Sequence, residues 1–115
     1  MSCIFGNGDI FLIRQAVPAV WGINKYLSTL SAGGFGFKWK GKEITLVTVN
    51  SARTICKIFT VNSVGVSLTT RKLFHSKFSL LFGDELIPNY LTKEDLELMY
   101  LAGTCDAAKN DANYV

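Results

Sequence analysis

The chain has 115 residues, 49% of them hydrophobic and only 18% charged, with a formal net charge of +3. That length fits one core and excludes a second sizeable domain, so a single compact domain spanning 1–115 is expected. The charged fraction is below the roughly 25% usual for soluble domains, which points to an apolar contact surface and to a chain that docks a protein partner or self-associates.

Cys3, Cys56 and Cys105 are odd in number, far apart and in no Cys-x-x-Cys pair, which suits neither a disulfide framework nor a zinc knuckle. No metal and no cofactor are expected. The opening Met1-Ser2-Cys3-Ile4-Phe5 lacks a basic leader, and the apolar run from Ile10 to Ile23 is broken by Arg14, Gln15 and Pro18. A cytoplasmic protein with neither signal peptide nor membrane span is the expectation.

In chain order, Gly6-Asn7-Gly8-Asp9 is turn chemistry and Ile10–Ile13 is a short apolar run of strand length. Val20, Trp21, Ile23, Leu27 and Leu30 recur at near-helical spacing after Pro18, which predicts a helix over about 17–30. Ser31-Ala32-Gly33-Gly34 ends it. Phe35, Phe37 and Trp39 then alternate with Gly36, Lys38 and Lys40, the period-two pattern of a strand with an aromatic and a basic face. A hairpin turn at Lys40-Gly41-Lys42 leads into the β-branched run Ile44–Val49, and a third run follows from Thr54 to Val61. The three form an expected antiparallel meander over about 35–61.

Past Thr69 the period changes. Leu73, Phe74, Phe78, Leu81 and Phe82 fall at one-turn spacings between Thr69 or Thr70 and Gly83, which predicts an amphipathic helix. Thr92-Lys93-Glu94-Asp95 approximates a capping box, and Leu96, Met99, Tyr100 and Gly103 carry a second helix towards Asn110. The expected fold class is α+β: a short N-terminal strand, a helix, a three-stranded antiparallel meander and two C-terminal helices.

Charge is polarised along the chain. Residues 38–77 carry Lys38, Lys40, Lys42, Arg53, Lys57, Arg71, Lys72 and Lys77 against Glu43 alone, a net of +7, whereas residues 78–115 carry −5. Those eight cations are the candidate contacts for an acidic protein partner or for nucleic acid, and the opposed halves allow head-to-tail self-association. Solvated faces with pairing between elements account for the same pattern more simply.

Motifs that suggest catalysis do not survive inspection of their surroundings. Gly36-Phe37-Lys38-Trp39-Lys40-Gly41-Lys42 has the spacing of a phosphate-binding loop, but Glu43 follows where Ser or Thr is needed, and a strand begins where a helix is needed. Leu101–Ala108 faintly resembles the motif helix of LAGLIDADG homing endonucleases, with Ala108 where that family has its metal-binding acid. His75 is the sole histidine; a Cys56/His75 nucleophile pair is conceivable, but a cysteine in a β-branched strand is ordinarily core. Glu94, Asp95 and Glu97 are explained by the helix dipole at an N-terminus. The helix–meander–helix order is loosely similar to a double-stranded-RNA-binding domain, without that family's basic start to the last helix.

The expected function is therefore that of a small non-enzymatic binding protein of inhibitor or adaptor type, acting through a protein–protein interface. A nucleic-acid-binding module using the basic 38–77 region is the alternative, and a small hydrolase or nuclease comes third. Phe35, Phe37 and Trp39 are expected on the face opposite the lysines, which argues against a joint base-stacking platform.

Overall fold

The computed structural model describes residues 8–75, 77–78, 89–90, 94 and 97. Strand β1 (Asp9–Leu12) is followed by helix α1 (Ile23–Ser31), then by strands β2 (Ile44–Val49), β3 (Ile55–Val61), β4 (Val66–Lys72) and the two-residue β5 (Asn89–Tyr90). They form one mixed sheet in the order β4-β3-β2-β1-β5. β1 runs parallel to β2, with Asp9 beside Ile44, and all other pairings are antiparallel.

β2 reads Ile-Thr-Leu-Val-Thr-Val because it lies mid-sheet and is buried on both faces. Its two hydroxyls are satisfied inside the protein. Thr45 pairs with Thr60 across the β2–β3 ladder at 3.4 Å, and Thr48 meets the Tyr26 hydroxyl at 2.6 Å. On the first face, Ile13, Val17, Ile44, Leu46, Phe59 and Val61 join Tyr26 and Leu30 of α1 in one buried cluster. Tyr26 stacks on Phe59 at 5.3 Å between ring centroids and meets the edge of Trp21 at 5.6 Å, offset and edge contacts worth about 0.5–1.5 kcal/mol each beyond area burial. The second face is equally dry, with Ile10, Leu12, Val47, Val49, Cys56 and Ile58 all buried.

The mixed α+β character expected from the sequence is present, but three elements differ. α1 begins at Ile23 rather than near 17: Pro18 and Trp21 close a turn through Trp21 N–H to Pro18 C=O, and Gly22 precedes the helix in an extended conformation. Val20, expected on the apolar helix face, is 91% exposed; Tyr26 takes the core position.

The segment 35–40 is not a strand, so the expected meander over 35–61 is absent as such. Its alternation records orientation only. Phe35 is buried, Phe37 and Trp39 pack against the helix-side core, and Lys38 and Lys40 are exposed, while Gly33, Gly36 and Gly41 adopt positive φ values (78°, 94° and 84°) that break an extended run. The meander lies one strand later, at β2-β3-β4.

The helix expected from Thr69 is also absent at its start, because Thr69–Lys72 belongs to β4 and pairs in register with Ile58–Ile55. β-branched Thr69 and Thr70 suit that ladder. Leu73–His75 and Lys77–Phe78 are not helical, and the rest of that prediction lies outside the described residues. Of the second expected helix, Glu94 and Glu97 are described, and both are helical and exposed. No helix among the described residues is long and apolar enough to cross a membrane.

Candidate functional site

The parallel pairing of β1 with β2 sets the site. It aligns the first residues of the two strands, Asp9 and Ile44, at one end of the sheet. Gly8 permits this approach, since a Cβ there would fall 2.2 Å from the Glu43 carbonyl oxygen. The connection from α1 returns across the same end, and its glycine bends lay Phe37 on Phe11, with ring centroids 4.9 Å apart. The Trp39 indole N–H donates to the Lys42 carbonyl at 2.8 Å and so fixes the bend around Gly41.

The result is an open groove of about 350 Å³ lined by Phe11, Phe37, Trp39 and Ile44, by Lys38, Lys40 and Lys42, and by Asp9 and Glu43. Three of the candidate cations thus converge on one feature. They do so together with the aromatic rings from which a strand would have separated them: period two predicted opposite faces, and the bent backbone instead brings both sets to the groove.

The other candidates are placed elsewhere. The Lys57 ammonium is half-buried and donates to the carbonyls of Ala19 (2.5 Å) and Trp21 (2.9 Å), fastening the turn before α1 to the sheet. Arg53 sits half-buried in the β2–β3 turn at φ 61°, a turn organised by the Asn50 side-chain carbonyl, which accepts from the Thr54 and Ile55 amides. Arg71 is half-buried opposite Cys56, on the second face of the sheet. Lys72, the last residue of β4, and Lys77 beyond it are exposed, and neither lines the groove.

Sequence reading missed Asp9, Phe11, Glu43 and Ile44 as lining residues. The strand–helix–strand order at the N-terminus was the available signal, because a helical crossover is the usual connection between two parallel strands and leads the chain back to the end of the sheet where the first strand begins.

Cys56 is fully buried in β3, and burial pushes its thiol up to about 12. His75 is exposed, with its ring 6.4 Å from that of Phe74. A thiol that keeps its proton and meets no solvent is a poor nucleophile. Burial likewise raises the Tyr26 hydroxyl to about 12, against a partial lowering by its bond to Thr48. Among the described residues no group of three or more His, Cys, Asp or Glu is placed to hold a metal ion.

Those two shifts have a consequence for stability. The unfolded chain releases the Cys56 proton near 9.0 and the Tyr26 proton near 10.0, whereas the folded protein keeps both to about 12. Their contribution is therefore fully present below about pH 9 and is lost as pH rises from there to about 12. Denaturant midpoints are expected to fall steadily over that window, and Cys56→Ala should remove the lower part of the fall; a midpoint flat to pH 11 would contradict the assignment.

Comparison of the chain with protein-family models, curated proteins and solved structures found no match.

Proposed function

We propose that this chain is a non-enzymatic binding protein whose groove between β1, β2 and the 37–43 bend receives an acidic segment of a protein partner. The observation that carries this reading is the convergence of Lys38, Lys40 and Lys42 on the same groove as Phe11, Phe37 and Trp39. Exposed ammonium groups steer an anionic partner in, and an apolar or aromatic anchor seated on the rings supplies most of the affinity.

The same aromatic and basic lining also favours a second reading, the binding of single-stranded nucleic acid by stacking and phosphate contact. Charge favours the protein partner. Asp9 and Glu43 line the groove beside the three lysines, which leaves a net of only +1 and sets two carboxylates against any phosphate chain. A protein segment places its acids opposite the lysines and keeps other side chains beside the carboxylates; a uniformly charged backbone cannot.

The two readings separate in a salt series. A glutamate-rich peptide carrying one phenylalanine is expected to bind more tightly than oligothymidine at every ionic strength, with a shallow salt dependence. Tighter binding of oligothymidine, with a logarithmic salt slope near −2 as expected for three phosphate contacts to a single strand, would overturn the protein-partner reading.

A further inference from the structure

β4 is a terminal strand of the sheet: among the described residues it pairs with β3 alone. Its outer edge carries a row of backbone donors and acceptors, a template that natural sheets usually interrupt or cover. Which residues point outward follows from the two ends of the hairpin. The Asn62 amide donates to the Gly65 carbonyl, and the Leu73 amide donates to the Thr54 carbonyl. With strict alternation between these bonds, Ser67, Thr69 and Arg71 turn their backbone groups towards β3, and Val66, Leu68, Thr70 and Lys72 turn theirs outward.

We infer that β4 pairs with the β4 strand of a second copy of this chain, antiparallel, about a two-fold axis at Thr69. This register uses the whole seven-residue strand and matches outward-facing residues with each other: Val66 with the second copy's Lys72, and Leu68 with its Thr70, each pair exchanging two N–H···O=C bonds. Thr69 meets its own symmetry mate in a close pair without hydrogen bonds. No like charges lie opposite one another, since Arg71 faces Ser67 and Lys72 faces Val66. The two Lys72 side chains are about 20 Å apart by strand rise, beyond the screening length of about 8–10 Å.

An independent observation fits the same axis. Val64 and Phe74 are 93% and 85% exposed, among the most exposed large apolar residues described. Val64 stands as far before Thr69 in sequence as Phe74 stands after it. Val64 is presented at the hairpin tip by Asn62, whose side-chain carbonyl accepts from the Val64 and Gly65 amides. The two-fold brings the tip of each copy to the end of β4 where the other copy carries Phe74, so an apolar contact closes each end of the joint. The edge therefore matches a second copy of itself in hydrogen-bonding register and sets no like charges opposite one another, as an isologous interface requires.

The inference does not depend on the groove. Light scattering of the full chain over a concentration series is expected to show a reversible dimer, unchanged when Lys38, Lys40 and Lys42 are replaced. Thr70→Pro removes one outward amide from each copy and leaves the bonds to β3 intact; the dimer dissociation constant is expected to rise at least about tenfold, the loss of two interstrand bonds. Thr69→Cys sets two thiols on Cα atoms about 4.5 Å apart, inside the disulfide range, and mild oxidation should yield a covalent dimer linked at position 69. Thr70→Cys, with the same native thiols, should not cross-link there. A strictly monomeric protein at high concentration, or a dimer in which Thr69→Cys fails to cross-link, overturns the proposal.

Discussion

Tyr26→Ala is expected to destabilise the protein by about 3–5 kcal/mol, the range for truncating a large buried aromatic side chain. Tyr26 is only 1% exposed and sits where α1 meets the sheet. Its ring stacks on Phe59 and meets Phe35 and Trp21, so truncation opens a cavity between the helix and β3 and strips several neighbours of contacts at once. Its hydroxyl is bonded to Thr48, which itself donates to the Lys57 carbonyl at 3.2 Å. Tyr26→Phe isolates the hydroxyl and is expected to cost about 1 kcal/mol, the usual net worth of such a bond. Denaturant unfolding of the two variants checks the division. If Tyr26→Ala cost no more than Tyr26→Phe, the ring would not be the element that seats α1.

The second large effect concerns binding. Replacing Lys38, Lys40 and Lys42 together with glutamate is expected to weaken the acidic peptide about a hundredfold. Each exposed ion pair is worth roughly 0.2–1 kcal/mol, and charge reversal replaces three attractions with three repulsions of similar size. All three side chains are exposed, so the fold should survive with stability changed by no more than about 0.5 kcal/mol per site. The matched control is Lys72→Glu with Lys77→Glu, which alters exposed cations that do not line the groove. An equal loss from the control would show that net charge, and not the groove, sets affinity.

How much of this was legible in the sequence depends on which interactions each pattern encodes. β1, β2 and β3 were readable because Ile10–Ile13 and Ile44–Val49 are continuous β-branched or apolar runs and Thr54–Val61 is one broken only at Lys57, the mark of strands buried largely on both faces. The 35–40 segment misled because period two reports which side of an extended chain is buried and says nothing about whether its amides find a partner strand. β4 misled for the converse reason. As an edge strand its burial is uneven, and Val66-Ser67-Leu68-Thr69-Thr70-Arg71-Lys72 shows neither clean alternation nor a continuous apolar run.

The candidate site was half legible. Lys38, Lys40 and Lys42 stood out as a cluster, but whether they lay with or against the aromatics depended on a backbone bent at three glycines, two of them in a Gly-rich stretch that the sequence reading treated only as a helix stop and a strand. Asp9 and Glu43 join the groove through a contact between residues distant in sequence, and local spacing carries no trace of it. Lys57 illustrates the opposite error: one more cation by sequence, it spends its charge on two backbone carbonyls inside the molecule.

The central claim is that the groove seats an acidic segment on its aromatic floor, and the Trp39 indole reports on that event directly. Trp39 lines the groove with its N–H bonded to the Lys42 carbonyl, whereas Trp21 packs against Tyr26 and Phe35 on the helix side and is not among the lining residues. In a titration of nitrogen-labelled protein with the glutamate-rich, phenylalanine-bearing peptide, the Trp39 indole signal and the amides of 37–43 should shift saturably while the Trp21 indole stays in place. An unmoved Trp39 signal, or shifts confined to another surface, would contradict the account.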